Sequence, residues 1–238
     1  MHELALAPRN DIDALAERYA RDGVVRIERL FPDATAEAIH RTLARHTPWH
    51  LVHSDADGRQ IIVDPADWNA RPPAAQQAVL DAVMSRARAG FAYLYCVYPM
   101  ITRYLEGANP GGALHAMVEL LNGPDMQGLV KRITNEPNVR KLDAQATLYQ
   151  PGHFLNTHDD RGEGAERRAA YVMGFSKSWR PDWGGQLLFH ENGRTTDGFS
   201  PSFNTLTLFR VPRQHIVTQV STFAGAGRYS ITGWLRSD

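Results

Sequence analysis

One cysteine, Cys96, stands among 238 residues, which excludes an intramolecular disulfide and a thiolate metal cluster. An excess of either charge is also missing. The 26 Lys+Arg balance 26 Asp+Glu, and the sequence pI is about 7.2. A neutral chain has no electrostatic footprint for nucleic acid or an anionic membrane, so neither is expected as a partner. The most apolar run, residues 90–101, falls short of the ~20 residues a membrane span needs and carries three tyrosines. The start, Met1-His-Glu-Leu-Ala-Leu-Ala-Pro, lacks the apolar stretch of a signal peptide, and the expectation is a soluble, cytoplasmic protein. Repeats, low-complexity tracts and a Pro/Gly/Ser linker are absent as well. One domain over residues 1–238 is therefore expected, on an ordinary globular composition of 43% hydrophobic and 22% charged residues.

The chain changes character near residue 140. Before it, helical spacing dominates. Asn10 is a candidate N-cap for a helix carrying Ile12, Leu15, Ala16, Tyr19 and Ala20 on one stripe and ended by Gly23. Residues 24–30 read as a strand, 33–46 as a helix and 61–63 as a short strand. Another helix follows Pro72-Pro73, and two more cover about 112–121 and 125–134. After residue 140, strands at 142–150, 169–176, 186–190, 204–210, 216–221 and 228–235 alternate with Gly- and Pro-rich turns. Helices followed by strands predict an α+β fold in which N-terminal helices buttress one β-barrel or sandwich.

Among ten histidines, His158-Asp159-Asp160 stands out. In an extended segment, positions i and i+2 share a face, so His158 and Asp160 would converge. Two ligands hold a metal poorly. His215 heads the alternating strand His215-Ile-Val-Thr-Gln-Val, 57 residues after His158, and is the best third candidate. Two His and one carboxylate form the facial triad of non-haem Fe(II) oxygenases. Thirteen residues further, Arg228-Tyr-Ser-Ile-Thr-Gly-Trp opens another strand. Arginine is a fixed planar fork for a carboxylate, and Ser230 and Thr232 would follow on the same face.

Taken together, Tyr149-Gln-Pro-Gly-His-Phe-Leu-Asn-Thr-His158-Asp-Asp160, Trp183-Gly-Gly-Gln-Leu, Pro201-Ser-Phe-Asn-Thr-Leu-Thr-Leu-Phe209, His215-Ile-Val and Arg228-Tyr-Ser-Ile-Thr-Gly-Trp234 carry a resemblance. Residues 143–238 resemble the catalytic core of prolyl-hydroxylase-type 2-oxoglutarate/Fe(II) oxygenases. The His-Asp-Asp form and the Gly-Trp ending are most similar to the ribosomal-protein prolyl hydroxylase branch. The resemblance implies a double-stranded β-helix (jelly-roll) barrel over residues 141–238, with 1–140 as helical support and substrate-side elements. It implies His158, Asp160 and His215 as iron ligands, and Arg228, Ser230 and Tyr149 as the 2-oxoglutarate site, with Trp234 near the wall. It also implies Fe(II), with 2-oxoglutarate and O2 as co-substrates, and leaves room for ascorbate. One departure is visible: Gly174 stands where several prolyl hydroxylases place a tyrosine, and Tyr171 would face the other way.

The expected activity couples oxidative decarboxylation of 2-oxoglutarate to succinate and CO2 with C–H hydroxylation, of a prolyl residue in a peptide or protein as first choice. A free amino acid or small metabolite is the alternative substrate. A non-catalytic jelly-roll metal-binding sensor and a barrel isomerase are the alternatives of other classes; neither needs a dicarboxylate clamp at Arg228 and Ser230. Oligomeric state stays open. His153, His190, His40, His46, His50 and His53 are expected outside the triad, Cys96 in the core, and Arg161, Arg167 and Arg168 in a solvated loop.

Overall fold

In the first 140 residues the five expected helices form, joined by two short ones at Pro65–Ala70 and Met100–Leu105. The strands expected over 24–30 and 61–63 are present, and two more, His50–Ser54 and Tyr93–Tyr98, were not expected. The computed structural model describes residues 4–55, 57–109, 111–162, 164 and 166–238. Helix α1 (Ile12–Asp22) buries Leu15 and Tyr19 and ends at Gly23, whose φ of 67° is a left-handed conformation that favours glycine. Its N-cap is Asp11, one residue beyond the expected Asn10. There follow β1 (Val24–Glu28), α2 (Asp33–Arg45), β2 (His50–Ser54), β3 (Gln60–Val63), α3 (Pro65–Ala70), α4 (Pro73–Ala89), β4 (Tyr93–Tyr98), α5 (Met100–Leu105), α6 (Ala113–Asn122) and α7 (Pro124–Thr134). The apolar run 90–101 thus contains β4. A strand buried on both faces reads as continuous apolar sequence and gives no alternation to detect.

Beyond residue 140 lie β5 (Lys141–Leu142), β6 (Gln145–Tyr149), β7 (Phe154–His158), β8 (Arg167–Phe175), β9 (Leu187–Glu191), β10 (Arg194–Phe199), β11 (Phe203–Arg210), β12 (His215–Val217) and β13 (Arg228–Arg236). The strand expected over 142–150 is split in two at Asp143-Ala144. The one expected over 216–221 stops at Val217, where the backbone leaves to bond Gln186, His153 and Trp183. β10 was not expected: apart from Gly198 and Phe199 its residues are polar and largely exposed, so no alternating apolar face announces it.

All strand pairs are antiparallel, in one curled sheet ordered β1-β11-β8-β13-β6-β4-β7-β12-β9-β10. The curl turns on β4, which pairs β6 through Cys96–Tyr98 and β7 through Tyr93 and Leu94. β6 and β7 therefore lie end to end along it, separated by the Pro151-Gly152 turn, and the halves fold over as a jelly-roll. One face of β8, β11 and β13 buries Tyr171, Met173, Leu206, Leu208 and Ile231 against Leu15, Ile39, Leu43, Met117 and Ile133 of the helices. Each such aliphatic or aromatic side chain contributes roughly 1.5–3 kcal/mol by burial. The opposite face lines the barrel interior. No described helix is long and apolar enough to cross a membrane.

His153, at the turn between β6 and β7, is buried and its Nδ1 has no hydrogen-bond partner. Burial pulls its pKa down to about 4 from the ordinary 6.5. The folded state keeps the imidazole neutral while the unfolded chain takes up a proton below pH 6.5. Stability contributed by this residue is thus complete above pH 6.5 and falls as pH drops towards 4, by about 3 kcal/mol in total. His153→Phe is expected to flatten the loss of stability between pH 7 and pH 4.5, as measured by denaturant midpoints; an unchanged slope would place the titration elsewhere.

Candidate active site

β7 delivers His158 at its last position, and β12 delivers His215 directly opposite it in the antiparallel register, with ring centroids 4.0 Å apart. Asp160 arrives differently from the extended geometry expected. The strand ends at His158, and Asp160 has φ 60°, a left-handed conformation in which aspartate is tolerated but strained. That turn brings Asp160 Oδ1 to 3.5 Å from His158 Nε2, and Asp160 Oδ2 to 3.4 Å from His215 Nε2. Among the described residues this is the group of three whose ligand atoms converge, all within 4.8 Å of one another.

The other ring nitrogens are occupied. His158 Nδ1 lies 2.9 Å from the Asn156 carbonyl and His215 Nδ1 2.7 Å from the Arg213 carbonyl. Each Nδ1–H therefore donates to a backbone oxygen, which leaves both Nε2 lone pairs free and aimed at the same point as the carboxylate. Such bonding fixes tautomer and ring direction in metal-binding histidines. Burial, then His215, lowers the His158 pKa and keeps it neutral. Burial alone would raise the Asp160 pKa; contacts with His215, His158 and Trp234 outweigh it and keep the carboxylate charged. Two imidazole nitrogens and an anionic oxygen on one side of a point suit a divalent transition metal, with positions left open opposite.

The three donors face a cavity of about 270 Å³ inside the barrel. Arg228, at the start of β13, reaches the same cavity and is 4% exposed. Among the described residues no carboxylate pairs with it; its guanidinium carbon lies 4.9 Å from the Tyr149 ring centre. Burial lowers its pKa, with Tyr149 opposing. An arginine without a carboxylate in a buried cavity is costly unless a ligand supplies the anion. Tyr149 is buried and stacks on Tyr95, centroids 5.1 Å apart at 17°. Thr147, on the same face of β6, has a buried Oγ1 with no partner. Thr232 and Trp234 line the cavity as the period of two requires, while Ser230 borders an adjoining recess that shares Arg228.

That recess accounts for Gly174, which pairs with Ser230 on β13 and with Thr205 on β11. A Cβ at Gly174 would sit 2.6 Å from the Ser202 carbonyl oxygen and 2.8 Å from Thr205 Oγ1. Ser202 and Thr205 hydroxyls, bonded to each other at 2.8 Å, occupy the space a tyrosine would need. Tyr171 does face the other way, into the helix-backed core, and donates its hydroxyl to the Asp143 carbonyl at 2.6 Å.

Sequence reading missed the wall supplied by β4. Tyr93 and Tyr95 stand two apart and line the cavity, and with Phe91 and Tyr149 their rings follow one another at 5.6, 5.8 and 5.1 Å. The signal was the Tyr-x-Tyr spacing inside the apolar run. Histidines expected outside the triad are outside it. His40 bonds the Phe175 carbonyl, His53 the Ser54 carbonyl and His190 the Thr157 hydroxyl, and His50 lies 3.8 Å from Asp64. His46 is exposed at the end of α2. Cys96 is buried, and burial pushes its thiol up to about 12. Arg161 lies 3.7 Å from Asp159 and Arg168 3.9 Å from Glu136. Arg167 and Arg168 depart from the expected solvated loop: both are half-buried at the start of β8, where Arg167 stacks on Trp234.

Residues 144–236 match the family model of the 2OG-Fe(II) oxygenase superfamily. Curated proteins give no significant match. Among solved structures, the chain is similar in fold to a Pseudomonas putida prolyl-4-hydroxylase (TM-score 0.59, 19% identity, 95% of this chain and 99% of that one). It is similar also to a 2OG-Fe(II) oxygenase family oxidoreductase from Burkholderia pseudomallei (TM-score 0.62, 13% identity, 100% and 97%). A third is a Trichoplax adhaerens prolyl hydroxylase in complex with a hypoxia inducible factor oxygen degradation domain peptide fragment (TM-score 0.59, 14% identity, 95% and 89%). These likenesses establish the jelly-roll fold and do not separate the branches of the family.

Proposed function

We propose that this chain, whose residues 144–236 match the family model of the 2OG-Fe(II) oxygenase superfamily, is a 2-oxoglutarate-dependent oxygenase that hydroxylates a prolyl residue in a peptide or protein substrate. In this reading His158, Asp160 and His215 hold Fe(II), and Arg228, Ser230 and Tyr149 hold 2-oxoglutarate. The observation that carries it is the buried Arg228, which pairs with no carboxylate among the described residues and faces the same cavity as the three converging donors. When bound, Fe(II) supplies the redox chemistry that couples decarboxylation of 2-oxoglutarate to succinate and CO2 with insertion of oxygen into a C–H bond.

The protein's own share is placement and exclusion of water. Arg228 neutralises the far carboxylate in a low-dielectric setting, where a charge-assisted bidentate contact is strongest. Tyr149 covers that contact, and the orphan Thr147 hydroxyl gains a partner when an oxygen-bearing ligand enters. Leu155, Leu187, Phe209 and Val217 line the cavity with apolar surface and keep it dry. The Nδ1–H bonds of His158 and His215 to backbone carbonyls hold each ring with its Nε2 turned towards the metal site.

Support for a peptide comes from the cavity's margin. Gln60 of the β2–β3 hairpin and Phe91, 47% exposed, sit there, and the aromatic rings lead inward from Phe91. A prolyl ring within a peptide is apolar and has no N–H to satisfy, so it suits an aromatic wall better than a charged free amino acid does. The fold neighbour solved with a bound peptide is consistent with this reading. Proline-containing peptides are expected to stimulate 2-oxoglutarate consumption above the uncoupled background and to gain 16 Da by mass spectrometry, one oxygen atom. Stimulation only by free amino acids or small metabolites would remove the peptidyl assignment while leaving the oxygenase.

A further inference from the structure

Asp160 is the strained member of the triad, and something must hold it. Its φ of 60° costs on the order of 1–3 kcal/mol for a residue with a side chain, and such a conformation persists only where the surroundings impose it. Two side chains from different strands stand beside Asp160, one bonded to it and the other stacked on the first. Arg167, the first residue of β8, donates from Nη1 to the Asp160 backbone carbonyl at 3.1 Å. Trp234, on the inner face of β13, lines the same cavity as Asp160. The Arg167 guanidinium carbon lies 3.8 Å from the centre of the Trp234 ring. Arg167 Nε is buried without an acceptor, so stacking on the indole and the bond to Asp160 are what fix the guanidinium among the described residues. Opposite Trp234 on β8 stands Ala170, small enough to leave the indole room.

We infer that Arg167 and Trp234 form one positioning unit that imposes the left-handed turn at Asp160 and aims its carboxylate at the point shared by His158 and His215. The inference rests on the triad reading of the preceding section. Neither residue is a ligand. Arg167 fixes the Asp160 backbone, and Trp234 holds Arg167 in place through the cation–π contact. Without the unit, Asp160 is free to relax to negative φ, which swings its Cβ away from the histidines. Partners of this kind behind a metal ligand are worth roughly 10- to 100-fold in metal affinity.

Mn(II) titrated anaerobically into the full-length protein, without 2-oxoglutarate, tests this by calorimetry. Arg167→Met keeps the long stem but loses both the bond and the stacking, and is expected to bind Mn(II) about 10- to 100-fold more weakly than wild type. Trp234→Phe keeps a smaller ring with a weaker cation–π contact to Arg167, and is expected to show a smaller loss in the same direction. Arg167→Lys should recover part of the loss, since lysine keeps the charge and a donor but not the planar face. Arg161→Met, an exposed neighbour paired with Asp159, serves as the control and should bind like wild type. Co(II) adds a readout that a general loss of stability would not move: the visible spectrum of Co(II)-loaded Arg167→Met should differ from wild type, as expected when Asp160 no longer occupies its place. Mn(II) affinities of both Arg167→Met and Trp234→Phe within twofold of wild type would overturn the positioning role. Failure of wild type itself to bind Mn(II) would instead overturn the triad reading.

Discussion

Arg228→Ala is expected to raise the 2-oxoglutarate concentration needed for turnover by about 30-fold to several thousand-fold, while leaving Mn(II) affinity close to wild type. The magnitude follows from the site. Arg228 is buried in the cavity, and a carboxylate entering beside it sheds its water and gains one fixed partner. Truncating one member of a buried, hydrogen-bonded charge pair costs roughly 2–5 kcal/mol, which sets that range of affinity. Arg228→Lys should recover only part of it, because lysine restores the charge without the two-pronged geometry or the planar face over Tyr149. Arg236→Ala is the contrast on the same strand. Its guanidinium is committed to Asp238 and Asp143 and lies outside the cavity lining, so the 2-oxoglutarate requirement should stay put. Steady-state kinetics with 2-oxoglutarate varied checks all three; an unchanged requirement in Arg228→Ala would mean that the anion is held elsewhere.

His158→Ala, Asp160→Ala and His215→Ala are each expected to reduce succinate formation to background. The Nε2 and carboxylate oxygens stand 3.4–3.5 Å apart and, among the described residues, these three side chains are the group that converges at the point, so the loss of one leaves two. A second readout does not depend on turnover. Metal that binds only the folded state stabilises it by about 2.7 kcal/mol at a hundred times its Kd, so wild type should melt at a higher temperature with Mn(II) present. The variants should lose most of that shift while folding without metal, because the barrel's apolar faces do not involve these side chains. Near wild-type turnover in all three would refute the assignment.

How much of this was legible in the sequence depended on whether period or register carried the information. Arg228, Thr232 and Trp234 reach one cavity because a strand alternates, and alternation is visible in a string of letters. His215 heads a strand and faces His158 across the ladder, as its place before Ile216 and Val217 suggested. The fold class and its helical buttress were legible from helices preceding strands. What lay hidden was two-fold. β4 has no solvent face, so its two cavity tyrosines sat in a run that looked only apolar. Asp160 escaped the extended geometry through a single positive φ, and its Arg167–Trp234 support depends on how β8 and β13 are aligned, which no local pattern encodes. Gly174 belongs to the same class: its reason is the Ser202 carbonyl 2.6 Å from where a Cβ would be, a contact made across the sheet.

The central claim is that one cavity holds a metal on His158, Asp160 and His215 and a dicarboxylate on Arg228 at once. Anaerobic titration of 2-oxoglutarate into the Fe(II)-loaded protein, followed by visible absorption, tests it most directly. Chelation of Fe(II) by the keto acid should produce a weak charge-transfer band that saturates with 2-oxoglutarate. The band should need at least tenfold more 2-oxoglutarate in Arg228→Ala, in line with a loss of ~2 kcal/mol or more, and should be absent from His215→Ala. A wild-type protein that binds Fe(II) yet shows no such band at saturating 2-oxoglutarate would contradict the account.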